Sequence, residues 1–518
     1  CQNLSFSDLE LRPDTSPASI THKMLDRLPN EILHLVCREL ATTPDLIHAI
    51  KAQERKEHLD QWNALARLCK VSRQMRHVAE PLLYQNYAKP DSASNPVAHY
   101  SFRKYLTTVL KRPELLQYVR SFYIGSWRQY ADDLSQFAAE SRFAACTARV
   151  CDTHFSPELH GLYDRYAKTA ILGEAWKEAL DAGEEVAEIA LLMSLTPNLE
   201  RIEFSMPWLD LQSDTAPQFF WPNLLVESEE WNPSSHFHRL EAVTAHKRNM
   251  EPGFNWDVVA GYEIDSLLPF IGLPKLRIFW VEDDDTGQYP TRLERYPLNN
   301  QESHLSDLVL IPSSIHPAKL LQILKRCTKL EAFYADFREE QDNFVPNFSW
   351  DTIAQALSGS QSTLKELDLS CDLRSQLATE ADTEAEFTCI SIGSLRKFTS
   401  LETLHVLQTT LLGFENMADE VELAVPALPF DEMLPSSLRS LKIDMCTLTI
   451  VPYLERLLVK VEEKFPDFGE LQLSEIDYRE LDVEGYPLDQ REALIEGMKV
   501  RLERLKEGFI QAGIKWIQ

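Results

Sequence analysis

Leu364-Lys365-Glu366-Leu367-Asp368-Leu369, Leu401-Glu402-Thr403-Leu404-His405-Val406 and Leu438-Arg439-Ser440-Leu441-Lys442-Ile443 share one spacing. Apolar side chains stand at a first position, a, and again at a+3 and a+5. The last two are two residues apart, the period of a short strand that buries one face. The same spacing returns at Leu199/Ile202/Phe204, Leu276/Phe279/Val281, Leu305/Leu308/Leu310 and Leu330/Phe333/Ala335. Looser copies are Val119/Phe122/Ile124, Leu240/Val243/Ala245 and Phe468/Leu471/Leu473. Segments 317–327, 350–357 and 452–465 carry helical patterning between them. A strand and a helical stretch recurring at a coarse period describe units that bury their apolar faces on one another. The expected fold class is therefore α/β, built by repetition.

This pattern resembles a leucine-rich repeat, which implies an irregular solenoid, a horseshoe with parallel strands on its inner wall. The copies depart from a regular array. Anchors are separated by 25 residues between Leu305 and Leu330 and by 41 between Leu199 and Leu240, against about 20–29 in regular arrays. An asparagine ladder is missing. A helical insertion is expected at about 129–193, with Trp127, Tyr130, Leu134 and Phe137, then Leu159, Leu162, Tyr163 and Tyr166, at helical steps. Acidic runs at 227–230, 283–285, 380–386 and 415–422 read as solvated loops. At the end, 489–508 reads as an amphipathic helix and 514–517 as a last strand, so that 487–518 would cap the stack.

A different pattern occupies the start. Leu28-Pro29-Asn30-Glu31-Ile32-Leu33 leads into Leu35, Val36 and Leu40. Pro29 suits a first helical turn, where a missing N–H costs nothing, and Ile32, Leu33, Val36 and Leu40 follow at helical steps. Leu65, Leu68 and Cys69 continue in a second helix, and Val71, Met75, Val78 and Leu82 in a third, closing with Pro81-Leu82-Leu83-Tyr84. This block resembles an F-box of the fungal kind. One departure is a charged stretch, 44–59, that reads as an inserted helix capped by Thr42 or Thr43. The expected division is a disordered segment at 1–22, an F-box-like three-helix module at 23–90, and a repeat domain at 91–518.

Composition narrows the function classes. The 518 residues carry 52 basic and 80 acidic side chains, a formal charge of −28. A body this acidic repels phosphates and favours basic partners, so nucleic acid is not expected. No apolar run has the length of a membrane span. Nine cysteines without a framework point to a reducing compartment, cytoplasm or nucleus. The chain opens on Cys1 rather than Met, which leaves room for a segment upstream. Cys146, Cys151, His154 and His160 are the one grouping with metal-ligand character. Their first interval is not a knuckle spacing, so ordinary thiols in a helical insert is the reading, with no metal and no cofactor. Glycine phosphate loops, nucleophile elbows and zinc-protease motifs are all missing, and no enzyme is expected.

Positions a+2, a+4 and a+6 of each strand face away from the core. They include Tyr123, Glu203, His246, Trp280, Glu282, Tyr334, Asp336, Glu366, Asp368, His405 and Asp444. Carboxylates outnumber Arg and Lys on this wall, and the aromatics have the character of interface anchors. The F-box resemblance implies that Leu28, Pro29, Ile32, Leu33, Val36, Leu40, Leu68 and Val71 meet a Skp-type adaptor and its cullin. The repeats would then hold a protein substrate of basic character. The function expected is substrate recognition in an SCF-type ubiquitin ligase. The alternative is a repeat scaffold whose F-box no longer works.

Overall fold

The computed structural model describes residues 28–40, 52–89, 96–125, 173–182, 184–205, 237–246, 264, 267–282, 302–313, 315, 317–337, 350–371, 387–389, 391–417, 420–422, 428–474 and 488–518. Its strands in chain order are β1 (Asn86–Lys89), β2 (Ser121–Ile124), β3 (Arg201–Ser205), β4 (Ala242–His246) and β5 (Ile278–Val281). They continue as β6 (Asp307–Ser313), β7 (Ala332–Phe337), β8 (Glu366–Cys371), β9 (Phe387–Cys389) and β10 (Thr403–Leu407). The last are β11 (Phe414–Met417), β12 (Glu420–Glu422), β13 (Ser440–Asp444), β14 (Glu470–Leu473) and β15 (Lys515–Ile517). All but β9, β11 and β12 join one 12-stranded sheet in sequence order, and every pair is parallel.

The a, a+3, a+5 spacing explains that sheet. Leu364, Leu367 and Leu369 are buried, as are Leu401, Leu404 and Val406, and Leu438, Leu441 and Ile443. Because the period is two, one register aligns every unit: Leu367 faces Leu404, and Leu404 faces Leu441. Parallel neighbours need a crossover. Here the crossovers include the helices Pro317–Leu324, Trp350–Ala356 and Val451–Lys464, whose Leu320, Ile353 and Leu457 join the strand core. Gly173–Ala182 and Glu185–Ser194 are the helical parts of the expected insertion that are described.

Two devices replace the asparagine ladder. At a+1, each backbone carbonyl accepts from the next unit: Lys365 N–H donates to Glu331 O (2.7 Å), Glu402 to Lys365 (2.8 Å) and Arg439 to Glu402 (2.8 Å). Side chains in that column pair across units, Lys365 with Glu331 at 2.5 Å and Arg439 with Glu402 at 3.3 Å. Buried serines bridge units from inside. Ser360 donates to Cys327 O at 2.5 Å and accepts from Leu330 N–H at 3.2 Å. Ser303 donates to Ile271 O at 3.0 Å.

The ends are closed differently. The helix Leu488–Gln511 packs on Val451–Lys464, and Gly508 lies against Leu458. The chain then turns through Gly513, at φ +80°, into β15; that left-handed conformation favours glycine. At the other end the sheet starts at β1, ahead of the boundary at 90 drawn from the sequence. The acidic run at 415–422 is corrected: β12, β11 and β9 form a small antiparallel sheet. Backbone pairing is indifferent to side chains that alternate between its two faces. The acidic runs at 227–230, 283–285 and 380–386, residues 1–22, and Cys146, Cys151, His154 and His160 lie outside the described residues. No described helix is long and apolar enough to cross a membrane.

Candidate functional site

Two surfaces stand out. The first is on the N-terminal module: α1 (Asn30–Leu40), α2 (Ala52–Leu68) and α3 (Arg73–Leu83). The inserted helix expected at 44–59 is not separate where it is described, since residues 52–59 run without a break into α2. Leu33 and Cys37 of α1 pack with Leu65, Cys69, Met75, Val78, Ala79 and Leu83 into a small core distinct from that of the repeats. Ser72 caps α3, accepting from Met75 N–H at 3.2 Å. Gln74 Nε2 donates to Leu28 O (3.2 Å) and to Asn30 Oδ1 (2.9 Å), which fixes the start of α1 on α3. Arg112 forks onto Glu80 at 2.8 and 3.0 Å, tying the module to the first repeat.

With Leu33 and Cys37 turned inward, α1 carries a second apolar stripe outward. Leu28, Ile32, Leu35 and Val36 are 36%, 44%, 56% and 48% exposed. A surface helix ordinarily has one apolar stripe; α1 has two, and the outer one has no partner among the described residues. Pro29 is also exposed. Of the other expected contacts, Leu33 is interior and Leu40, Leu68 and Val71 are half-buried against the module core. Leu35 belongs with the exposed set.

The second surface is the sheet's non-core face, where registered rows bring distant residues together. His405 on β10 lies between two neighbours: its Nδ1 is 2.7 Å from Asp368 Oδ2 on β8, and its Nε2 bonds Asp444 on β13. Lys442 Nζ approaches Asp444 at 3.3 Å, and the Ser474 hydroxyl donates to Asp444. Burial works to lower the His405 pKa, but the two carboxylates outweigh it and hold the imidazole at about 9. Asp444 is drawn to about 2, its own burial opposing and the His405 and Ser474 hydrogen bonds prevailing.

A second bridge repeats this design. His246, after β4's core pair, sits 2.8 Å from Glu282 and 3.2 Å from Glu203. Burial again pulls its pKa down and the carboxylates push it up, to about 9. Glu203 is buried, and desolvation raises its pKa in spite of His246. Glu203 therefore belongs to the interior of the wall rather than to its open surface. Both imidazoles are held charged with both nitrogens engaged, so neither has a lone pair to act as a base. These bridges brace the wall.

Aromatics line the row between the bridges. Trp280 Nε1 donates to Glu282 Oε1 at 2.9 Å, and the Tyr334 hydroxyl donates to Glu366. Burial, then Glu366, push the Tyr334 phenol well above its usual value, so it stays protonated and donating. Tyr123, Asp336 and Asp368 are half-buried on the same face, and Glu366 is exposed. Among the described residues no group of His, Cys, Asp and Glu could hold a metal ion.

A family model described as a leucine-rich repeat domain matches residues 101–463. The chain belongs to the leucine-rich repeat family. Such repeats are protein-interaction modules, and the parallel sheet is the face they build. No curated protein matches the sequence. Among solved structures, a chain of the Rad7 and Elc1 complex in yeast is similar at 12% identity, over 58% of this chain and 77% of that one, with a TM-score of 0.22.

Proposed function

We propose that this leucine-rich repeat protein is a substrate-recognition subunit of an SCF-type ubiquitin ligase, working in a reducing compartment. In this reading α1–α3 act as an F-box and take a Skp-type adaptor, and the sheet wall holds the protein substrate. One observation carries it: the outward stripe of Ile32, Leu35 and Val36, with Leu28 just before it, on a helix whose other face already anchors the module. Covering a half-exposed Leu or Ile is worth about 1 kcal/mol, so three on α1 with Leu28 just ahead of it can seat a partner. The polypeptide would break no bonds itself. It would raise the local concentration of substrate beside the conjugating enzyme.

The test is capture of a Skp-type adaptor by the wild type beside Ile32→Asp/Val36→Asp. Both positions are exposed, so the module should remain folded by circular dichroism. Capture by the wild type and at least tenfold loss in the variant support the assignment. Failure of the wild type to bind leaves a repeat scaffold, with the wall as its working surface.

A further inference from the structure

The wall's central row repeats one small arrangement twice. On β5, Trp280 gives its indole N–H to Glu282; on β7, Tyr334 gives its hydroxyl proton to Glu366. Each aromatic is tied by its polar tip to a carboxylate, while Val309 on β6 stands between them in the same register row. An aromatic ring beside an anionic oxygen is a receptor for a cation, through ring and ion pair together. Trp280 and Tyr334 are two strand steps apart, about 10 Å at about 4.8 Å per step. The bridges at His246 and His405 flank this row: the first, which shares Glu282 with Trp280, sets one imidazolium against two carboxylates and leaves a negative charge, while Lys442 balances the second.

We infer that the wall takes an extended segment of a protein partner carrying two basic residues three apart, Arg/Lys-x-x-Arg/Lys, one at Trp280–Glu282 and one at Tyr334–Glu366. Residues three apart in a polyproline II segment lie on one face about 9 Å apart, which matches the distance between the two aromatics. Val309 between them is itself buried, so the contact surface of the row is the two aromatics and their carboxylates. A phosphorylated or acidic segment would meet Glu282 and Glu366 at the two aromatics and be repelled there. The inference rests on the wall being the substrate surface and not on adaptor binding by α1.

The experiment is fluorescence anisotropy of the full chain with a labelled Gly-Pro-Arg-Pro-Pro-Arg-Pro-Gly peptide. A second peptide spaces the arginines five apart, and a third replaces both by aspartate. The expected result is saturable binding of the first, at least tenfold weaker binding of the second and none of the third. Trp280→Ala and Glu366→Gln should each weaken the first peptide at least fivefold, and raising salt should weaken it further. Equal affinity for all three peptides, insensitivity to both substitutions, or no binding of the first at millimolar concentration would each overturn the inference. Because α1 is untouched, adaptor capture by the same variants reads the ligase assignment separately.

Discussion

His405→Gln removes the cation from between Asp368 and Asp444 while keeping a polar side chain. The charged imidazole is favoured by the fold because its pKa moves from 6.5 to about 9. A group whose folded pKa is raised stabilises fully below its unfolded pKa and loses that stabilisation as pH climbs through the folded value. Integrating between 6.5 and about 9 gives roughly 3 kcal/mol at pH 6, roughly 1.5 at pH 8 and close to zero at pH 10. The imidazole is 18% exposed, so solvent screening makes these ceilings, with about 2 kcal/mol at pH 6 a working figure. The assay is urea unfolding of wild type and variant at the three pH values. Titration of the imidazole by NMR accompanies it. The stability gap should close as pH rises, and the resonance should titrate near pH 9. A gap that stays constant from pH 6 to pH 10, or an imidazole titrating near 6.5, would refute the bridge.

Other outcomes follow from the same physics. Ser360→Ala leaves Leu330 N–H and Cys327 O, both buried, without their bridge; a loss of about 1–3 kcal/mol is expected in urea unfolding, and a change under about 0.5 would argue against it. Leu441→Ala empties the a+3 site of β13 and should cost about 2–5 kcal/mol, read as earlier hydrogen exchange of β10, β13 and β14. Gly513→Ala forces a side chain into the φ +80° turn before β15; about 1 kcal/mol of destabilisation is expected, checked by the unfolding midpoint.

The repeat was legible because its signal is local. Three apolar positions within six residues dictate a strand and the face it buries, and identical spacing dictates a common register. Leu364, Leu401 and Leu438 needed no tertiary information to be placed. The antiparallel pair of β11 and β12 was hidden because Glu415, Glu420 and Glu422 make the run read as acidic, and charge patterning says nothing of backbone pairing. The continuity of residues 52–59 with α2 was hidden too, since a polar run of good helix formers carries no stripe to show where one helix ends.

The first helix separates what each level decides. Apolar residues at three- and four-residue steps fix α1 as a helix, but they do not say which stripe faces inward. Packing against Leu65, Met75 and Val78 chooses Leu33 and Cys37 for the core and leaves Ile32, Leu35 and Val36 outside. The wall divides in the same way. Alternation along each strand put His246, His405 and the carboxylates on one face from sequence alone. Their pairing joins residues 36 to 43 positions apart, across units of unequal length. No local spacing encodes that distance; only the parallel register, which sets each unit against the next whatever the loop between them, brings the imidazoles to their carboxylates.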